Sequence, residues 1–290
     1  MTSQKKPAIK QGWLRALLIV IPWTIFTGIF SLLAIFAIGK NPFTGAVDIN
    51  ESQTLIVQLF GLIGTILIVW IFTKFIDKKS FKSLGFTYKK MGLDIALGIL
   101  VGFLLIAIGF FILKTTGQIQ IERINLNYTK VGLGVLLFII IAINEELIFR
   151  GYLLNNLMDS IPKYWALFII SILFGAVHLG NPNIDAIGFT NIVLAGFFLG
   201  ISYIYTKSLW FPIALHFSWN FFQGTIFGYS VSGTESYSLI QQSRLEDTIW
   251  NGGKFGFEAS MTSLIFIGIT TIIIGVYYKK KSRANNEKSI

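Results

Sequence analysis

The sequence has no cysteine, two histidines and six prolines in 290 residues. Without cysteine there can be no disulfide, no thiol nucleophile, and no palmitoylation or lipoprotein anchor. Charge is scarce too, at 13% of residues, about half the ~25% of an ordinary soluble domain. Acids are the rarer sign, 14 against 24 basic residues. In their place stand 53% hydrophobic residues and a mean hydropathy of +0.68. This composition excludes a soluble globular enzyme, a disordered chain and a nucleic-acid binder. The solvent of this chain is the lipid bilayer.

Apolar runs occur near 14–39, 55–76, 91–113, 131–154, 163–179, 187–206, 208–227 and 261–278, each near the ~20 residues that a spanning helix requires. Eight such runs predict an all-α polytopic membrane protein, a single membrane domain over 1–290 with both termini on one side. Within it lie three N-terminal spans (1–130), a four-helix core (131–227), an outer loop (228–260), and a last span with a basic tail (261–290). The first run follows Lys5, Lys6, Lys10 and Arg15, as in a signal peptide. No small-residue cleavage site follows it, so it reads as a retained helix.

Charge gives the orientation. With the N-terminus inside, the inner segments hold Lys5, Lys6, Lys10, Arg15, Lys74, Lys78, Lys79, Lys82, Lys89, Lys90, Arg150, Lys163, Lys207, Lys279, Lys280, Lys281, Arg283 and Lys288, 18 of the 24 basic residues. The outer segments hold Lys40, Lys114, Arg123, Lys130, Arg244 and Lys254, with most of the acids, including Glu235, Glu246, Asp247 and Glu258. The positive-inside rule therefore predicts N-in, C-in. Gly98/Gly102 and Gly196/Gly200 have the spacing that lets helices approach closely, and packing within the chain is the expected use. Asp94 and Lys74 are expected to snorkel to the inner surface. Trp13, Tyr152, Tyr164, Trp165 and Trp210 are expected in interfacial belts.

An ionisable side chain inside the bilayer is costly unless paired, so each is a functional candidate. The fourth run carries Glu145, Glu146 and Arg150 within two helical turns. Glu146 and Arg150 are four apart, in the orientation that favours an ion pair. Glu145 points about 100° away from Glu146 and needs a different partner. Both histidines, His178 and His216, fall in apolar runs, and Asn220 shares a helix face with His216. A buried carboxylate beside an imidazole makes a general base for a trapped water. A second imidazole and a carboxamide can donate to a developing oxyanion. Together these point to amide hydrolysis inside the membrane. Zinc is the other chemistry these residues leave open, with Glu145, His178 and His216 as three ligands, though no HExxH helix is present. Helix rise places Glu145 roughly 13 Å and His178 roughly 20 Å from the inner ends of their helices, a mismatch that predicts a shifted or tilted fifth helix.

The order Glu145-Glu146-x-x-x-Arg150, Phe174-x-x-x-His178, His216-x-x-x-Asn220 across successive spans resembles the three motifs of the CAAX prenyl protease and bacteriocin-processing (CPBP, or Abi) family of intramembrane endopeptidases. The resemblance covers about 131–223 and no motif residue is missing. It implies that Glu145 activates water with help from His178, that His216 and Asn220 form the oxyanion hole, and that Glu146 and Arg150 hold the motif helix. Phe174 would line the same cavity. It also implies a glutamate mechanism with no obligatory cofactor, and bacterial roles in bacteriocin self-immunity, peptide maturation or surface-protein display. The expected partners are the lipid bilayer, a membrane-anchored or peptide substrate cut near the cytoplasmic side, and a membrane protein partner. The many Ile, Lys, Asn and Phe residues suggest a bacterial chain of the plasma membrane. Two other readings are a non-catalytic immunity or scaffold protein and a small transporter using Glu and His as a proton relay.

Overall fold

Polar side chains mark where the apolar runs become helices in the computed structural model, which describes residues 6–43, 47–88 and 91–287. Lys5, Lys89, Lys90 and Lys288 lie outside the described residues. Helix α1 is Gly12–Ala37, α2 is Glu51–Ile71 and α3 is Met91–Thr115. Helix α4, Tyr128–Glu146, runs on through a π-helical stretch, Leu147–Leu154, to Leu157. Then come α5, Lys163–Val177, α6, Ala186–Gly200, α7, Trp210–Asn220, and α8, Met261–Glu287. Asn50, Asn127 and Asp185 cap α2, α4 and α6, each accepting a backbone N–H. Caps matter here because lipid offers no partner for the free N–H groups of a helix start. All three capped ends lie on the side assigned outside.

Among the described residues six helices are long and apolar enough to cross a membrane, Gly12–Ala37, Glu51–Ile76, Met91–Thr115, Tyr128–Leu157, Ala186–Thr206 and Met261–Arg283. The other two are shorter than their apolar runs. Helix α5 has 15 residues, about 22 Å at 1.5 Å per residue, and ends at His178. Helix α7 runs on through a π-helical stretch, Phe221–Ile226. The residue before α7, Leu209, is fully buried and its N–H donates to Gly85 O at 3.0 Å, next to the turn Phe81–Leu84.

The two glycine pairs set the closest helix contacts. A Cβ at Gly98 would stand 2.8 Å from Ala214 and Leu215 of α7, and one at Gly102 would stand 2.8 Å from Ser218. A Cβ at Gly196 would lie 2.7 Å from Ser171 Cα on α5. Both pairs therefore serve packing within the chain, α3 on α7 and α6 on α5. The exposed apolar side chains, Ile21 and Ile25 of α1 and Ile269, Ile272 and Ile273 of α8 among them, form the outward face that lipid would cover.

Charge gathers at the basic end of the bundle. Arg15 is buried and pairs with Asp77 at 3.2 Å and Asp159 at 2.8 Å, while Lys79 reaches Asp159 at 3.1 Å. Asn156 bonds Asp77 at 3.4 Å, so the ends of α1, α2 and α4 are tied together. Two expectations are corrected nearby. Asp94 does not snorkel: it is buried and accepts a bond from Ser208 at 3.3 Å. Tyr152 is not interfacial but fully buried, edge-on to Phe72, because the inner part of α4, Glu146–Leu157, is enclosed by neighbouring elements on every face. At the other end a short antiparallel ribbon that the hydropathy pattern did not suggest pairs β1, Gln120–Ile124, with β2, Ile240–Ser243.

Gly102→Val forces a branched side chain against α7 and is expected to destabilise by about 1–3 kcal/mol. Gly132→Val, where an added Cβ meets nothing within 4 Å, is expected to be close to neutral. Thermal unfolding of the detergent-solubilised protein compares the two.

Candidate active site

Three helices deliver the motif side chains to one place. On α4, Arg150 Nη1 bonds Glu146 Oε1 at 2.8 Å, both groups essentially inaccessible. From α7, His216 Nδ1 bonds the same oxygen at 2.9 Å. The second guanidinium nitrogen of Arg150 reaches Gly196 O on α6 at 3.1 Å. The guanidinium also lies 4.6 Å from the ring centre of Phe174 on α5. One carboxylate oxygen thus receives two charge-assisted bonds, the strong class, and the arginine carries the linkage to two more helices.

Glu145 is turned away from Arg150. Its Oε2 is buried without a hydrogen bond among the described residues. It lies 3.9 Å from His178 Nε2 and 3.9 Å from His216 Nε2. That is too long for a direct hydrogen bond and suits one water shared between the groups. The tautomers follow from the far side of each ring. His178 Nδ1 lies 2.7 Å from Phe174 O, and a carbonyl only accepts, so Nδ1 carries the proton. The same reasoning puts a proton on His216 Nδ1, which faces the Glu146 carboxylate. Asn220 is buried one turn beyond His216 and lines the same space.

The depth mismatch between Glu145 and His178 closes because α4 is longer than its apolar run. It continues to Leu157, which puts Glu145 twelve residues, about 18 Å, from that end. His178 is fifteen residues, about 22 Å, beyond Lys163. Side chains cover the remainder, and α5 starts where the sequence placed it.

The cluster opens into a cavity of about 1070 Å³ lined by Glu145, Phe174, His178, His216 and Asn220. Glu258 and Ser232 of the 228–260 loop also line it. Glu258 is buried, and its Oε2 accepts from Ser232 N at 2.7 Å and Ser232 Oγ at 2.8 Å. Burial raises the pKa of its carboxyl, and the Ser232 bonds and the imidazoles of His178 and His216 act against that rise. Asn191 of α6 ties this segment down, donating to Glu258 O at 2.7 Å and Ser260 O at 2.9 Å. None of these three stood out in the sequence. Asn191, an amide within an apolar run, was the available signal. Zinc ligands would sit about 2.0–2.2 Å from a common ion. Among the described residues no group of three His, Cys, Asp or Glu side chains is gathered to hold one.

Residues 127–222 match the model of the Rce1-like family, the type II CAAX prenyl endopeptidases. The match supports a CPBP-family membrane protease. It begins at Asn127, the cap of α4, and ends two residues past Asn220, so the Rce1-like region contains every motif side chain described above. A search of curated proteins finds no match to the chain. Helices α1–α3 and α8 lie outside the Rce1-like region and pack against part of it.

Arg150→Met would leave Glu146 buried with only His216 for a partner. Breaking a buried ion pair this way costs about 3–5 kcal/mol, and Arg150→Lys is expected to recover little because it loses the fork to Gly196 O. Thermal denaturation in detergent measures both.

Proposed function

We propose that this protein is an intramembrane endopeptidase that hydrolyses a peptide bond of a membrane-associated protein or peptide, using water activated by Glu145. The observation that carries this reading is that Glu145 Oε2 stands 3.9 Å from the Nε2 atoms of both histidines, while the Nδ1 of each ring is occupied elsewhere.

The chemistry follows from those proton positions. A water between Glu145 and His178 gives one proton to the carboxylate and directs its second hydrogen to the lone pair of His178 Nε2. Its oxygen attacks the carbonyl carbon, the C=O π electrons move to oxygen, and a tetrahedral oxyanion forms. His216 donates from Nε2 when its ring is an imidazolium, its Nδ1 remaining bonded to Glu146 Oε1. Asn220 supplies an amide N–H from the next turn. Collapse of the intermediate breaks the C–N bond, and the proton held by Glu145 passes to the leaving nitrogen. The site is apolar on several sides, which strengthens each of these interactions relative to water. The setting we propose is the plasma membrane of a bacterium, in peptide processing or bacteriocin self-immunity.

Glu145→Gln keeps shape and removes the base, and is expected to lower cleavage of a quenched peptide library by about 10²–10⁴-fold, the range for general base catalysis. Asn220→Ala is expected to cost about 10²–10³-fold in kcat, as for one oxyanion donor. A strong chelator is expected to leave the wild-type rate unchanged. Cleavage lost to chelator and restored by zinc would instead make Glu145, His178 and His216 metal ligands. A cellular phenotype that survives Glu145→Gln would favour a binding role over catalysis.

A further inference from the structure

The position of the cavity relative to the charge asymmetry carries an inference about the substrate. Followed away from Glu145, its lining passes Gln58, Thr54, Glu51 and Asn50 along the first turns of α2. It then reaches Arg123 of β1 and Asn125 just past it, Lys130 at the start of α4, and the loop stretch from Ser232 to Tyr237. All of these lie at the end of the bundle that carries the ribbon and the capped helix starts. Most of the basic residues lie at the other end.

That basic end is closed. Beyond Glu145 the whole stretch from Glu146 to Leu157 is buried. Phe149 meets Phe174 edge-on at 5.0 Å and Trp23 at 5.9 Å. Past them lies the network of Arg15, Asp77 and Asp159. None of those three charged side chains lines the cavity.

We infer that the path to Glu145 opens on the extracytoplasmic face, and that the substrate is a polypeptide segment exposed on that face. The inference rests on the peptidase reading for its substrate and on geometry and charge for its direction. The catalytic atoms lie in the inner half of α4, but the channel leads outward from them. The mouth suits a peptide backbone: it carries amides at Asn50, Asn125 and Gln58, and both charge signs in the Glu51–Lys130 pair at 3.3 Å. Apolar side chains of a substrate would meet Trp23, Phe138 and Ile141 further in. A mouth so polar does not suit a prenyl chain.

The absence of native cysteine makes the direction measurable independently of any activity. Thr54→Cys and Gln58→Cys place a thiol in the channel, and Ser83→Cys places one on the exposed turn at the basic end. Intact bacterial spheroplasts expressing the full chain are treated with a membrane-impermeant maleimide before and after permeabilisation. We expect at least tenfold more labelling of the two channel thiols than of Ser83→Cys before permeabilisation, and equal labelling after it. Channel thiols labelled only after permeabilisation, or not at all, would overturn the inference. In a parallel arm a quenched peptide is added to wild-type spheroplasts and to inside-out vesicles, with Glu145→Gln as the blank. Cleavage at least tenfold faster in spheroplasts supports an extracytoplasmic substrate, and faster cleavage in inside-out vesicles overturns it. Outward labelling with no cleavage on either side would remove the peptidase reading, and with it the substrate, while the direction of the channel stands.

Discussion

A single oxygen atom, Glu146 Oε1, accepts hydrogen bonds from Arg150 of its own helix and His216 of α7. Three ionisable groups buried this deeply are tolerated only if they satisfy one another, because each alone would carry a desolvation penalty of several kcal/mol. The arginine's remaining reach, to Gly196 O and over Phe174, extends the requirement to α6 and α5. Four helices therefore have one arrangement in which no charge is stranded. The direction of Glu145 follows from it, since a residue adjacent to Glu146 on a helix has to face elsewhere, and elsewhere is the cavity.

Close backbone approach is the companion constraint. Arg150 can reach a carbonyl of α6 because α6 lies against α5 at Gly196, and α7 holds His216 at its depth because α3 presses on it at Gly98 and Gly102. Small residues and buried charges thus do complementary work. The glycines permit the distances and the ion pairs select among the packings those distances allow.

Much of this was legible in the residues. The eight apolar runs, the charge bias and the pairing of Glu146 with Arg150 follow from periodicity and spacing. What was not legible depends on tertiary context. Asp94 looked like a snorkelling acid until Ser208 appeared beside it, and Tyr152 looked interfacial because it is an aromatic near the end of an apolar run, whereas α4 continues to Leu157 with that whole stretch buried. The inward fold of 228–260 was hidden for another reason, since the contacts that bring Glu258 over the cavity come from distant positions. Gly256 shows the difficulty. It adopts φ +104 with Ser230 O only 2.0 Å from where a Cβ would sit, so its role is set by a neighbour twenty-six positions earlier.

The latch at the basic end gives the molecule a history as well as a shape. Arg15 is among the first charged residues to leave the ribosome, yet its partners Asp77 and Asp159 come much later, the second 144 positions downstream. At about 5–20 residues per second, roughly 7–30 s separate the synthesis of the arginine from that of its last partner. For the first part of that interval, until Asp77 is made, the guanidinium has neither of its two carboxylate partners. The bundle can close fully at this end only when the fourth helix has been delivered, so the N-terminal helix, though first made, completes this latch midway through synthesis.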